Sequence, residues 1–377
     1  MKLIITGDFS IADNYQGKKL IDNSIIDIFN DADYRIVNLE APITQDNPNN
    51  KINKTGPHLR SSSNTTLPYL QQLNVNMVTL ANNHIMDYGI KGLEDTLAFC
   101  SENSFETVGA GKNLEEAQKP NRIEVGDKII SIINFAENEW ASATMESGGS
   151  HPMDIIDNAR LIKSEKENAD FVIVIIHGGH EYFHYPSPRI KKQYRFYAEQ
   201  GASVIVGHHT HCISGYEIFN NTPIIYSLGN FLFTKNSNHE VLNTGMIVIL
   251  KIEKDDIIIF ELVPIQQERV SFNIKLPEYD KKQAIQLELN KFNDTISDEI
   301  LLQSQWDEFV KKRTTFYLNY LSPTNAVNNR LIRALLNRSG LSKIFVTLRS
   351  LKTFLNLIRC ESHKDVIIAA IRKKVYD

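Results

Sequence analysis

Five short apolar runs in this chain each end at once on residues able to hold a metal ion, and that pairing constrains the fold more than any other feature. Lys2–Thr6 runs into Gly7-Asp8-Phe9-Ser10, Tyr34–Val37 into Asn38-Leu39-Glu40, and Val75–Leu80 into Ala81-Asn82-Asn83-His84. Phe171–Ile176 runs into His177-Gly178-Gly179-His180-Glu181, and Ser203–Val206 into Gly207-His208-His209-Thr210-His211. Runs this short and rich in Val, Ile, Leu and Met read as strands covered on both faces. Helical spacing lies between them, over Leu20–Asn30, Leu67–Leu73, Gly92–Ser101 and Arg189–Gly201, with Gly201 as the last helix's C-cap. Strand–helix alternation predicts an α/β fold with crossover connections. The carboxyl ends of strands in such a sheet line one crevice, so the five polar clusters are expected to meet there.

Their chemistry suits a divalent metal. Carboxylates, imidazoles and amide oxygens together are ligands for Mn²⁺, Fe²⁺, Zn²⁺ or Mg²⁺, and one ion or two would polarise a substrate oxygen and generate hydroxide near neutral pH. His208-His209-x-His211 is the most telling cluster, because three imidazoles in four positions are rarely core packing. Other residues carry a second reading. Asp8 also fits a turn or helix cap, and Asn82 and Asn83 fit left-handed turns. Asp87 either orients His84 or caps the helix before Tyr88-Gly89. His180 and His184 read as loop or substrate-contact residues. The segment Asp46–Arg60, with Lys51, Lys54, His58 and Arg60, either closes over an anionic substrate or is a solvated loop.

Two hairpins, Arg122–Val125 with Lys128–Phe135 and Met246–Ile252 with Ile257–Val263, are expected to form or extend a second sheet. After Pro277 the spacing turns helical, over Lys281–Phe292, Glu299–Tyr320, Ala326–Leu336, Leu341–Leu357 and His363–Val375. This places a domain boundary near residue 275, giving an α/β domain over 1–275 and a basic helical region over 276–377. Residues 301–377 hold 14 Lys and Arg against 5 Asp and Glu, and the rest of the chain 27 against 40. An acidic body excludes a general nucleic-acid binder. The basic tail reads either as a small helical domain packed on the body or as a peripheral contact for an anionic membrane or acidic partner. Cys100, Cys212 and Cys360 form no CxxC pair, so neither a disulfide framework nor a thiolate zinc site is expected. The first apolar run ends by residue 5, too short for a secretory segment, and none approaches a membrane span. A complete chain of this kind is expected in the cytoplasm.

In these residues the sequence resembles the CapA-type (poly-γ-glutamate) capsule-synthesis proteins of the calcineurin-like metallophosphoesterase superfamily. The motifs that carry the resemblance are Gly7-Asp8, Asn38-Leu39-Glu40-x-Pro42-Ile43-Thr44, Leu80-Ala81-Asn82-Asn83-His84-x-x-Asp87-Tyr88-Gly89 and Gly109-Ala110-Gly111. They continue with His177-Gly-Gly-x-Glu181 followed by Pro186 and Gln193, then Gly207-His208-His209-x-His211 and Tyr226-Ser227-Leu228-Gly229-Asn230-Phe231. The resemblance spans residues 1–235 in order and implies a four-layer α-β-β-α sandwich with two metals at the strand ends. By that resemblance Asp8 and His211 would bind the first metal, Glu40 would bridge, and Asn83, His177 and His209 would bind the second. His84 would be the general acid or a transition-state donor, and Glu181, His208 and Asn230 would orient ligands or substrate. Asp87 is the candidate catalytic partner of His84 on its spacing, and Asn38 and Asn82 are candidates to support ligands or substrate. The wider superfamily has Asp-x-His in its first motif, whereas position 10 here is Ser10.

Two functions follow from this reading. One is a metal-dependent hydrolase of cell-surface polymer biosynthesis, acting on a phosphoester or related bond in an anionic small-molecule or polymer substrate. The other is a non-hydrolytic metal-containing accessory that binds an anionic polymer or intermediate for a synthase or exporter. Either way the expected partner is polymer-synthesis machinery.

Overall fold

The first strand, β1 (Lys2–Ser10), sends alternate side chains into two different cores. Ile4 and Phe9 join a cluster with Ile25, Phe29 and Leu70. Leu3 and Ile5 join another with Ile130, Ile173 and Val206. That alternation is what a strand's period of two produces when both faces are covered. The computed structural model describes residues 1–377 except 55, 236–238, 253–257, 322–323, 325–326, 328, 342–345, 360–362, 364–367, 369–370 and 372–377.

Beside β1 in the first sheet run β2 (Tyr34–Leu39), β3 (Met77–Thr79) and β4 (Glu106–Val108), all parallel. On its other side lie β14 (Thr244–Ile252), β15 (Ile258–Gln267) and β16 (Ile274–Lys275), all antiparallel to their neighbours, and β13 (Asn230–Phe233) pairs with the end of β1. The second sheet runs β11 (Tyr216–Phe219), β12 (Thr222–Ile225), β10 (Val204–His208), β9 (Phe171–His177), β7 (Lys128–Ala136), β6 (Asn121–Val125). Here β7, β9, β10 and β12 are parallel. A two-stranded ribbon, β5 (Ala110–Gly111) with β8 (Gly149–Ser150), adjoins a short helix α4 (Leu114–Ala117).

Helices cover both outer faces. α1 (Asn23–Asn30), α2 (Ser63–Gln72) and α3 (Gly89–Glu102) supply Phe29, Leu70 and Leu93 to the core on the outside of the first sheet. α5 (Ile155–Lys166) and α6 (Pro188–Glu199) supply Ile162, Tyr194 and Tyr197 to the core outside the second, where Val172, Val174 and Ile176 of β9 point. With the inter-sheet core between them, three cores separate four layers in the order α-β-β-α. Each fully buried Val, Leu or Ile in these layers contributes roughly 1.5–3 kcal/mol, so the sandwich rests on apolar burial.

Two expectations need correction. The 246–263 hairpin does not join the second sheet: β14 pairs with β1, placing Lys2–Thr6 opposite Lys251–Ile247 in the first. The change of pattern near residue 275 marks the switch from strands to helices rather than an edge of compactness. The chain divides into units Met1–Ser304 and Gln305–Asp377, because α7 (Tyr279–Ser297) docks on the sandwich. Its Ile285, Leu289 and Phe292 enter the inter-sheet core, Asn293 Oδ1 accepts from Tyr216 N at 2.8 Å, and Lys191 Nζ donates to Ile296 O at 2.5 Å. α8 (Glu299–Tyr320), the helix expected there, runs on into the second unit, which also contains α9 (Arg330–Arg338) and α10 (Leu348–Arg359). The helices expected at Ala326–Leu336 and Leu341–Leu357 correspond to these, whereas most of the one expected at His363–Val375, and Cys360, lie outside the described residues.

Candidate metal centre

Register brings the ligands together. Asp8 at the end of β1 lies opposite Asn38 of β2 and Asn230 of β13, while His177 at the end of β9 lies opposite His208 of β10. The close passage of backbone behind Asp8 needs glycine: a Cβ on Gly7 would sit 1.9 Å from Gly229 O. After β10 the chain turns through His209 at φ 83° and His211 at φ 58°. Both are in the left-handed region that costs a non-glycine residue free energy, and such strain concentrates at functional sites.

Asp8, Glu40 and His211 offer ligand atoms all within 4.8 Å of one another, and each residue is buried. His211 Nδ1 lies 3.2 Å from Asp8 Oδ2, and its Nε2 lies 3.7 Å from Glu40 Oε1. Asn230 Oδ1 is 2.9 Å from His211 Nδ1 and fixes that ring. Asn38 Nδ2 donates to Asp8 Oδ1 at 2.7 Å, and Thr79 Oγ1 donates to Asn38 Oδ1 at 3.1 Å. Next to this group is a second one. His177 Nε2 lies 3.1 Å from Asn83 Oδ1 and 3.1 Å from His209 Nδ1.

The electrostatics single out one residue. Both carboxylate oxygens of Glu40 are buried and accept no hydrogen bond. Burial, reinforced by the Asp8 charge, pushes its carboxyl well above the ordinary range. Burial also opposes ionisation of Asp8, but the hydrogen bond from His211 and the charges of His177 and His211 outweigh it and hold Asp8 well below that range. His211 is driven up to about 10: burial opposes its proton, and the Glu40 and Asp8 carboxylates win. Burial, then the neighbouring His209, pushes His177 well down, leaving it a neutral imidazole with a lone pair to share. Two close carboxylates sealed from water, one of them without donors, ask for a cation. The donor set therefore fits a divalent metal.

Beside the carboxylates stands His84. Its Nε2 lies 3.9 Å from Glu40 Oε1, and its Nδ1 lies 2.7 Å from Asp87 Oδ2. Burial lowers its proton affinity, against the opposing Asp87 hydrogen bond. Asp87 is not the cap of α3, whose N-cap is Tyr88. It accepts from Leu59 N at 2.6 Å and forms an ion pair with the buried Lys54, whose Nζ is also 3.3 Å from His84 Nδ1. The segment expected as a lid or solvated loop is thus pinned behind His84. Arg60 is tied to Asp13 and to Thr44 O, and His58 Nε2 lies 2.8 Å from Ile52 O.

Not every expected residue faces this cleft. Asn82 clamps the β2 and β3 ends, donating to Leu39 O at 2.9 Å and Leu80 O at 3.2 Å and accepting from His84 N at 2.9 Å. His208 shares the inter-sheet face of its register partner His177, but its Nε2 is taken up by Thr6 O of the facing sheet, to which it donates at 2.8 Å. His184 Nδ1 donates to Ile213 O at 2.7 Å, and its ring stacks on Phe292 of α7 at 4.9 Å. Glu181 is exposed at the mouth, where it and Lys235 bear on the charge of Glu40. Sequence reasoning missed Glu137, just past β7. It accepts from Gly179 N at 3.0 Å and from Arg189 Nη2 at 2.6 Å, bracing the turn after His177. Its signal was present, since the Lys128–Phe135 run also ends on a carboxylate.

The profile of the bacterial capsule synthesis protein PGA_cap family matches residues 2–235, which include every residue of both ligand groups. The chain belongs to this family. Among PGA_cap relatives, the PGA biosynthesis protein CapA of Bacillus subtilis is 34% identical over 209 residues, 55% of this chain and 54% of that protein. The capsule biosynthesis protein CapA of Bacillus anthracis is 31% identical over 227 residues, 58% of this chain and 55% of that protein. The chain spans about half the length of the curated relatives it matches. A solved structure titled a novel phosphatase, from Mycoplasma pneumoniae, aligns over 76% of this chain and 98% of its own at 17% identity and a TM-score of 0.43.

Proposed function

We propose that this PGA_cap protein is a metal-dependent hydrolase-like component of cell-surface polymer biosynthesis, cleaving a phosphoester or related bond in an anionic polymer or its precursor. The observation that carries the reading is Glu40, a buried carboxylate without hydrogen-bond donors, set between Asp8 and His211. Asp8, Glu40 and His211 would hold one divalent cation, and Asn83, His177 and His209 a second. A bound cation supplies Lewis acidity and a water acidified toward neutral pH. The chain's own residues do the rest. Asn38 and Asn230 fix the Asp8 and His211 donors. The Asp87 contact at His84 Nδ1 turns Nε2 toward the carboxylates, where it can give a proton to the leaving oxygen. Glu181 and Lys235 border the substrate's approach. The names of the Bacillus relatives support polymer-synthesis machinery as the setting. The buried, unpaired Cys100 and Cys212 are compatible with the cytoplasm.

Ser10 favours a second reading. It stands on β1 where the superfamily pattern has a histidine, so the first ion would have three side-chain ligands, Asp8, Glu40 and His211, rather than four. A weakly loaded first position suits a non-hydrolytic accessory that binds an anionic polymer or intermediate for a synthase or exporter. Elemental analysis of the purified protein beside Asp8→Ala and His209→Ala, followed by assay of bis(p-nitrophenyl) phosphate with the retained metal, separates the two. One or two equivalents lost in both variants, with turnover abolished by His84→Ala, supports the hydrolase. Retained metal without turnover supports the accessory, and protein that cannot be loaded rules out both.

A further inference from the structure

We propose that the C-terminal unit docks on an anionic lipid surface through the apolar faces of α9 and α10, independently of any chemistry at the strand ends. Gln305–Asp377 carries a net charge of +9, against −13 for Met1–Ser304. In α9, Leu331, Ile332 and Leu335 share one face and are 80%, 53% and 71% exposed. The opposite side of this helix is turned inward and mixes Leu336 with polar residues. Arg333 and Asn337 are half-buried, and Asn337 Oδ1 accepts from Thr324 Oγ1 at 3.2 Å. A helix packed on a water-soluble domain ordinarily buries its apolar stripe, whereas three of these apolar residues stay in water. α10 also leaves apolar side chains in water: Leu348, Leu355 and Ile358 are 70%, 56% and 63% exposed, with exposed Arg349 and Lys352 on the same helix, while Leu351, Phe354 and Leu357 are half-buried.

Charge and apolarity together choose the occupant. A nucleic acid or acidic polymer would engage the arginines and lysines but leave the exposed leucines in water. A second copy of the chain would cover the leucines but bring like charge against like. The boundary of an anionic bilayer accepts leucine side chains among its acyl chains and basic groups among its headgroups. Among the described residues no helix is long and apolar enough to cross a membrane, so the contact is with the surface.

The test is co-sedimentation of the full chain with phosphatidylglycerol–phosphatidylcholine vesicles and with phosphatidylcholine vesicles. Two variants accompany it, Leu331→Glu with Leu335→Glu, and Arg330→Gln with Arg338→Gln and Arg349→Gln. All five side chains are exposed, and an unchanged Tm of the variants verifies that the sandwich is intact. The expected result is binding to the phosphatidylglycerol vesicles alone, weakened at least about tenfold in each variant. Binding that ignores lipid charge, persists in the leucine variant or is absent altogether overturns the proposal. So does a self-associating chain that the leucine variant makes monomeric with no loss of vesicle binding.

Discussion

Glu40 sits where its charge is worst solvated, with both oxygens buried, no donor on either and Asp8 alongside. Such a group destabilises the metal-free fold and is offset only when a cation arrives. Glu40→Gln should therefore invert in sign with metal. In chelator-treated protein the variant should be the more stable, by about 1–3 kcal/mol. In metal-loaded protein the wild type should be, and denaturant melts under both conditions measure this. Lys54 and Asp87 form the complementary case, a buried pair in which each charge solvates the other. Lys54→Met leaves Asp87 buried without its cation and should cost about 3–5 kcal/mol, while Lys54→Met with Asp87→Asn should recover much of it. A double-mutant cycle in which the two losses simply add would mean that the pair does not couple. At this scale the sequence is legible wherever a clustering side chain closely follows its own apolar run, as Asp8, Asn83, His177 and His209 do. It is not legible where a side chain arrives from elsewhere in the chain. Lys54 reaches Asp87 across 33 residues, and nothing in its Asn-rich surroundings marks it as buried.

Elements were legible in proportion to how cleanly their buried stripe is apolar. β1, β9 and β10 announce themselves as apolar runs, and β2 does so despite Arg35. α5 does not, because its buried positions are Asn158, Ala159, Ile162 and Glu165, and the polar two hide the helical period. Glu165 is tolerated inside because Arg122 and Ser131 meet it, at 2.8 and 2.7 Å. A similar economy governs His151 in the segment joining β8 to α5. Its backbone bridges β7 and the turn before β5, through Ala136 N at 2.9 Å and Gly109 O at 2.8 Å, while its Nδ1 donates to Asn134 O at 3.1 Å. Burial pushes this imidazole down to about 4 from an ordinary 6.5. A histidine depressed in the fold contributes stability that is present above its unfolded value and lost as pH falls toward its folded one. The expected consequence is a stability that declines between these two values, by about 2–3 kcal/mol from this group. His151→Gln should start less stable near neutrality and close the gap on acidification. A gap that stays constant across that window in paired urea titrations would remove His151 as the cause.

For the whole molecule, the question is where the folded body ends. Composition changes near residue 275, but compactness continues to Ser304. The reason is local. α7 carries an apolar stripe of Ile285, Leu289, Phe292 and Ile296, all buried against the sandwich, and Phe292 also roofs His184 beside the turn that carries His211. Helical spacing was readable in this segment, whereas its seat was not, because the receiving surface is assembled from β11, Tyr185 and the edge of the inter-sheet core, distant in sequence. Two truncations separate a sequence boundary from a physical one. A chain ending at Ser304 should keep the melting temperature of the sandwich within a few degrees and hold the same metal. A chain ending at Lys275 exposes the seat of Phe292, and loss of that one buried aromatic already costs about 3–5 kcal/mol. It should melt much earlier and load metal poorly, because the 207–211 turn loses the ring stack that supports its neighbour. Equal melting temperatures for the two truncations would mean that α7 is an appendage and that the compositional boundary is the real one.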